Sequence, residues 1–191
     1  MKKKILLIAT AIILVSIISI GTLAYFTDEE KASNVITTGN IDIELEEWME
    51  DADNNDELIP FPENGVSDVM PGSQISKIVQ VRNIGGNPAY VRIQVEKTIE
   101  LDDAPGQVPD LDLITFDLNT EKWELGTDGY YYYKNVLQPG DVTEPLFTVV
   151  TFDSDMGNMY QESSATVDIT AHAVQSDNNG ATVFDAQGWP K

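Results

Sequence analysis

Apolar and polar residues alternate along much of the chain beyond residue 40, which is the period of strands with one face in a core. The clearest run is 89–95, where the odd positions are apolar and the even positions are tyrosine, arginine and glutamine. Similar patterns predict further strands at 41–46, 75–83, 114–118, 130–134, 144–152 and 165–174. No long window after Ala24 has a helical period.

Turn residues separate these predicted strands. Pro71-Gly72 and Pro139-Gly140 each precede a strand and suit a type II turn, in which proline fixes φ and glycine accepts a positive φ. Segment 47–62 is rich in acidic residues and asparagine, so we expect a solvated loop there. Many short strands without βα alternation predict an all-β fold, an antiparallel two-sheet β-sandwich of the jelly-roll or immunoglobulin-like kind.

The N-terminus has the layout of a secretory signal peptide. Three lysines at 2–4 precede an apolar stretch, and small residues follow up to Ala24. We therefore predict a signal helix over 1–24, with cleavage between Ala24 and Tyr25. The alternative is a retained membrane anchor, because about 20 apolar residues can span a bilayer.

The predicted cleavage divides the chain into three parts. After the signal peptide come an N-terminal arm at 25–40, which is a candidate donor strand, and a β-sandwich domain at 41–191. In either case the body lies outside the cytoplasm, secreted and extracellular or attached to the cell surface. It would contact a membrane only through an uncleaved signal segment.

Charge and composition exclude several classes of function. The 191 residues contain 32 Asp and Glu against 11 Lys and Arg, for a formal net charge of −21. Such a surface repels phosphate backbones, so we expect no nucleic-acid partner. The absence of cysteine from the sequence excludes disulfides, thiolate nucleophiles and cysteine-based zinc sites.

Histidine is almost as scarce as cysteine. A catalytic zinc site takes three protein ligands, most of them histidine, and a Ser-His-Asp triad needs one histidine beside an activated serine. The chain has one histidine, His172, with no zinc-protease or nucleophile-elbow motif. Because His172 alternates with Thr166, Asp168 and Thr170 on a polar strand face, we expect an exposed strand residue. We therefore predict no catalytic, cofactor-binding or metal residues, and an enzyme is the less favoured hypothesis.

The acidic run Asp51–Glu57 is a weak candidate for calcium. Oxygen ligands at alternate positions suit Ca²⁺. An EF-hand count places Asp56 where glycine is required and Pro62 where glutamate is required. A flexible solvated loop is the favoured interpretation, and loose calcium binding is the alternative.

Four consecutive tyrosines occupy 130–133. In a strand, two of these rings face the core and two face outward. The outward pair could belong to a packing interface or a sugar-binding platform, although an ordinary amphipathic strand is the simpler interpretation.

Several motifs resemble the TasA/camelysin family of secreted proteins, which are processed by a SipW-type signal peptidase. They are the junction Tyr25-Phe26-Thr27-Asp28 and the following Val-Ile-Thr-Thr-Gly-Asn-Ile-Asp-Ile at 35–43. The segment from Pro71-Gly72 to Arg92 and the C-terminal 171–178 are also similar. The resemblance implies one of two functions, because TasA-like members are jelly-roll subunits of extracellular biofilm fibres and camelysin-like members are described as surface metalloendopeptidases.

The residues favour the fibre subunit, because a protease needs ligands that this chain lacks. Our hypothesis is a secreted structural protein of the cell surface or extracellular matrix, associating with itself or with other matrix proteins by strand addition. The anchors of the assembly arm would be Tyr25, Phe26, Val35 and Ile36. Alternatively, the arm folds back as the first strand of its own sheet. The competing hypotheses for function are a camelysin-like peptidase and a monomeric surface adhesin.

Overall fold

The computed structural model describes residues 41–54, 57–63, 65–66, 69–102 and 106–190. The predicted signal helix, the cleavage junction Ala24 and Tyr25, and the arm residues Phe26, Val35 and Ile36 lie outside the described residues. These assignments therefore stay predictions.

The described ranges form two antiparallel sheets, which confirms the predicted all-β two-sheet fold. One sheet has the strand order β2-β1-β3-β8-β5, and the other has the order β6-β7-β4-β9. The strands are β1 (Ile43–Glu50), β2 (Leu58–Pro60), β3 (Gln74–Asn83), β4 (Ala89–Glu100), β5 (Ile114–Phe116), β6 (Trp123–Leu125), β7 (Tyr131–Tyr133), β8 (Phe147–Phe152) and β9 (Ser164–Gln175).

The core lies between the sheets and uses the inward positions that the alternation predicts. On β4 the inward residues Ala89, Val91 and Ile93 are fully buried. They belong to one apolar cluster with Val79 on β3 and Phe147 on β8. Burial of each such side chain contributes about 1.5–3 kcal/mol from the hydrophobic effect, so this layer holds the two sheets together.

The turn at Pro71-Gly72 has the predicted type II geometry. Gly72 has a φ of +79°, and the Ser73 N–H donates to the Met70 carbonyl at 3.0 Å. The turn at Pro139-Gly140 has the same pattern and leads toward β8. Both turns are therefore set by local sequence.

The predicted solvated loop at 47–62 is wrong at both of its ends. β1 continues through Glu50, and β2 pairs back onto it with Trp48 opposite Pro60. The Phe61 N–H also donates to the Glu47 carbonyl at 2.9 Å. Acidic residues are tolerated here because these strand positions keep part of their surface in water.

Candidate functional site

A second apolar cluster covers the outer face of the four-stranded sheet. Val183 and Ala186, from the C-terminal segment 183–190, are buried against it. We call this segment the C-terminal strap, and we call the cluster beneath it the outer cluster. The outer cluster consists of the buried residues Tyr90, Tyr132, Val174, Val183 and Ala186, with the partly buried Tyr130 and Trp189 packed against them.

Arg92 on β4 lies at the centre of this face. Its guanidinium carbon is 3.8 Å from the centroid of the Tyr130 ring and 4.7 Å from that of the Trp189 ring. Its Nη2 donates to the Pro190 carbonyl at 2.8 Å. Two aromatic rings and a strap carbonyl therefore hold one buried cation, which connects the strap to the sheet.

Asp128 supplies the counter-charge from the edge of the outer cluster. Its Oδ2 is 3.3 Å from Arg92 Nη1 and accepts a 2.7 Å hydrogen bond from the Tyr132 hydroxyl. Burial alone would raise the pKa of Asp128. The bonds from Tyr132 and the Tyr130 N–H, together with the charge of Arg92, lower the pKa overall. Asp128 is therefore a carboxylate at neutral pH.

His172 on β9 lies directly opposite Arg92 in the sheet register. Its Nδ1 is 3.5 Å from Arg92 Nη2, and its ring centroid is 5.5 Å from that of Tyr130. Burial and the positive charge of Arg92 both lower the pKa of His172. The expectation of an exposed His172 is wrong, because Arg92, Tyr130 and the strap cover this part of the outer face and the residue is 6% exposed.

The surroundings of His172 do not suit a metal ion. A guanidinium within hydrogen-bond distance of the imidazole repels a dication. Within the ranges described, no group of three histidine, cysteine, aspartate or glutamate side chains is placed to hold a metal. A zinc peptidase needs three protein ligands and an open position, so the residues here do not fit that site.

The described residues of the acidic run, 51–54 and 57, bond to one another through their own polar groups. The Asp51 carboxylate accepts the Asp53 N–H at 3.0 Å, and the Asn54 amide donates to Glu57 at 3.4 Å. Asn55 and Asp56 lie outside the described residues. The favoured solvated loop and its alternative, loose calcium binding, therefore both stay predictions.

The four tyrosines alternate as predicted. Tyr131 and Tyr133 pack with the core, whereas Tyr130 and Tyr132 belong to the outer cluster. The outward pair is no open platform, however, because Tyr132 is buried and packs against Trp189 with ring centroids 5.8 Å apart.

Sequence reasoning missed the C-terminal strap, although a signal for it exists. Tyr90 and Val174 are apolar residues on the faces that the alternation labels polar. Val183, Phe184 and Trp189 are apolar residues in a tail that has no strand period. Apolar residues out of phase on a strand, together with others in an irregular tail, are the pattern expected where a tail covers a sheet.

β9 forms an edge of the four-stranded sheet. It spans twelve residues, whereas the other edge strands, β2, β5 and β6, have three residues each. In the part of the chain that the structure describes, β9 pairs only with β4. Its first half is largely exposed, including Thr166 and Asp168. A long edge of this kind presents a row of unpaired N–H and C=O groups.

Comparison with known proteins gives one family. The family model described as camelysin metallo-endopeptidase matches residues 1–112. No curated protein matches the chain. The matched region includes the junction at 25–28 and the turn at Pro71-Gly72, but it ends well before His172. It therefore contains neither histidine nor cysteine.

Family membership indicates a surface or secreted protein. None of the helices in the described ranges has the length and apolar character required to cross a bilayer. The match extends over more than half of the sequence and includes all the motifs that carry the resemblance except the C-terminal 171–178, so the chain belongs to the camelysin metallo-endopeptidase family, within the TasA/camelysin group.

Proposed function

We propose that this chain is a secreted structural subunit of the cell surface or extracellular matrix, and that copies join by strand addition. The observation that carries the proposal is the edge of β9, twelve residues long and paired on one side among the described residues. The incoming strand would be the N-terminal arm 25–40 of a neighbouring copy, with Tyr25, Phe26, Val35 and Ile36 as its anchors.

The composition of β9 supports this role. Sheet edges are commonly protected by proline, lysine, bulges or short length. β9 has no proline, lysine or glycine, and its one acidic residue is Asp168. An extended peptide can therefore pair with it along the strand, with affinity from main-chain hydrogen bonds. If each copy donates to the next, the contact does not close and a filament results.

Net charge opposes this assembly at neutral pH. The sequence carries −21, and loss of the signal peptide would remove three lysines and make the body more negative. Repulsion between like-charged subunits weakens when carboxylates are protonated or when salt screens them. We expect acid, high salt and divalent cations to promote filaments.

A peptidase role, which the family description prints, has less support from these residues. His172 is buried against Arg92, and the described acidic residues form no set of three metal ligands. We therefore derive no hydrolytic step for this chain.

The test follows the secreted, processed chain by light scattering and electron microscopy from about pH 7 to about pH 4. N-terminal sequencing should first show a start at Tyr25, which supports cleavage by a SipW-type signal peptidase. We expect filaments on acidification, and deletion of residues 25–34 should abolish them while the monomer stays folded. Scattering that never rises would contradict assembly.

Matched lysine variants locate the contact. Thr166→Lys with Thr170→Lys adds two charges to the edge strand. Thr98→Lys with Gln94→Lys adds the same two charges at the directly opposite positions of β4. We expect the edge pair to reduce filament yield by about tenfold or more, which corresponds to about 1.4 kcal/mol in the contact. Equal loss in both pairs would refute the β9 contact.

Two further outcomes distinguish this proposal from its competitors. If the arm folds back onto its own sheet, its deletion should destabilise the monomer. If the chain is a peptidase, the pure protein should hydrolyse casein and lose that activity with a chelator. Either result would overturn the proposal.

A further inference from the structure

We propose that the C-terminal strap is a proton-gated latch, which opens when His172 gains a proton and uncovers the outer face of the four-stranded sheet. This inference goes beyond the proposed function and does not depend on it. It rests on the geometry that joins His172, Arg92 and Pro190.

The first step is the protonation state of the closed form. An arginine side chain only donates hydrogen bonds, so the His172 Nδ1 that faces Arg92 Nη2 at 3.5 Å must be the acceptor. The neutral ring therefore carries its proton on Nε2. A second proton would bind to Nδ1, the very atom that faces the guanidinium.

The second step is the charge balance around that atom. Among the described residues, the charged or titratable groups in contact with His172 or its partner are Arg92 on β4, the tyrosines Tyr130 and Tyr132, and Asp128. Asp128 is the one carboxylate among them, and it already binds Arg92 and the Tyr132 hydroxyl. Asp185 on the strap is exposed and accepts from the Thr182 hydroxyl. Within the part of the chain that the structure describes, a protonated His172 would thus face Arg92 with no carboxylate of its own.

The third step connects this charge to the strap. The same Nη2 that faces His172 donates to the Pro190 carbonyl at 2.8 Å. The guanidinium also stacks against Trp189. When repulsion displaces Arg92, the strap loses a charge-assisted hydrogen bond and a cation–π contact together. Phe184, which is 48% exposed and touches Tyr132, would remain as a weaker contact.

Opening would expose Tyr90, Tyr132 and Val174, which are buried in the closed form. The pKa of His172 supports this direction, because burial and Arg92 hold it below the ordinary value of 6.5. The neutral ring therefore stabilises the closed form above that value. The stabilisation is lost as the pH falls through the lowered pKa.

The test uses two site-specific resonances in the full chain, kept in a mild non-ionic detergent. His172 is the sole histidine in the sequence, so its ring protons give an unambiguous titration. Fluorotryptophan labelling reports Trp189, which is assigned with Trp189→Phe. From about pH 7.5 to about pH 5, we expect the Trp189 signal to move to a solvent-exposed position with the midpoint of His172. The signals of Trp48 and Trp123 should stay in place.

Two variants, together with one matched control, test the mechanism. His172→Gln cannot take up the proton and should abolish the Trp189 transition, whereas Thr170→Gln, on the same outer face of β9, should retain it. By linkage, Trp189→Ala weakens the strap and should raise the His172 midpoint toward 6.5. If His172→Gln fails to fold, the His172 midpoint in Trp189→Ala is sufficient to decide whether the proton and the strap are coupled.

Four results would overturn the latch. His172 could titrate while Trp189 stays in place, or the Trp189 transition could persist in His172→Gln. All three tryptophans could also move together, which would show global unfolding in place of local opening. An unchanged His172 midpoint in Trp189→Ala would equally exclude coupling between the proton and the strap.

Discussion

The outer faces of the two sheets hold ion pairs of opposite arrangement. On the five-stranded sheet the acid is buried, since the Glu46 side chain is 8% exposed and its partner Arg82 is 39% exposed. On the four-stranded sheet the cation is buried, since Arg92 is 8% exposed and Asp128 is 42% exposed. Each face therefore has one acid and one base in an ion pair, but a different group takes up the proton on each face when the pH falls.

This difference follows from what covers each face. Glu46 is satisfied within its own sheet by Gln80 at 2.7 Å, Arg82 at 2.6 Å and the Trp48 indole at 3.3 Å. The two Nη atoms of Arg92 are bonded by groups from outside its strand, including the strap, whereas its buried Nε has no hydrogen-bond partner among the described residues. Glu46 can take up a proton directly, whereas arginine stays charged at all ordinary pH values. The groups beside Arg92 that can take up a proton are His172 and Asp128.

The largest expected effect comes from truncating the buried cation. Arg92→Ala removes the group that lies between Tyr130 and Trp189 and leaves the Pro190 carbonyl without its donor. We expect a loss of about 3 kcal/mol in the free energy of unfolding, measured in urea at neutral pH.

The matched variant on the other face is Arg82→Ala. Glu46 keeps its bonds from Gln80 and Trp48, so we expect a smaller loss of about 1 kcal/mol. Equal losses would show that the two arrangements are equivalent, and a larger loss for Arg82→Ala than for Arg92→Ala would reverse the comparison.

A backbone change tests how strongly the strap is held. Gly180 and Gly188 both have a φ of +82°, but a Cβ at Gly180 would lie 2.9 Å from the Asp185 carbonyl carbon, whereas one at Gly188 meets no atom within 4 Å. Gly188→Ala therefore isolates the cost of the positive φ, about 1 kcal/mol.

Gly180→Ala adds the collision with the Asp185 backbone. We expect a total loss of about 2 kcal/mol in urea unfolding, together with a Trp189 signal shifted toward solvent. Equal losses in the two alanine variants would indicate that the strap moves away from the added Cβ at no cost in free energy. The strap would then cover the outer face of the four-stranded sheet so weakly that this face is as open as the outer face of the five-stranded sheet.

The fold could be predicted from the sequence where strands are long and one face is buried. β4 and β9 follow the alternation over most of their length, and their inward residues Val91 and Ala171 lie in the core. β2 and β6 were missed because each has three residues and no longer alternating or aromatic run around it, whereas the equally short β5 and β7 lie within such runs. β2 forms because it pairs with β1. That pairing cannot be predicted from the sequence of either segment alone.

The candidate sites were less predictable because they depend on contacts between distant segments. His172 alternates with polar residues, so its strand pattern indicates solvent. The Arg92 and Trp189 that surround it come from β4 and the strap. Side-chain period reports which face a residue is on, but it does not report what covers that face. The scarcity of histidine and cysteine as metal ligands, in contrast, could be counted directly in the sequence.

The smallest expected effect is the acid response of the two carboxylates. Burial raises the pKa of Glu46, but hydrogen bonds from Gln80, Arg82 and Trp48 lower it overall below 4.5. The charged form therefore stabilises the fold above pH 4.5, and this stability is lost as the pH falls through the lowered pKa. Glu46→Gln should make the decline in unfolding free energy between about pH 7 and about pH 3 shallower by about 1 kcal/mol.

Asp128→Asn is the matched change on the other face, and the pKa of Asp128 is also lowered. Its carboxylate is 42% exposed, so solvent screens its interaction with Arg92 and the acid response should change less than in Glu46→Gln. Urea unfolding of both variants at the two pH values measures the difference directly. A larger change for Asp128→Asn would mean that the exposed acid, and not the buried one, controls the acid stability of the sandwich. The contrast between the two faces would then lie in packing alone.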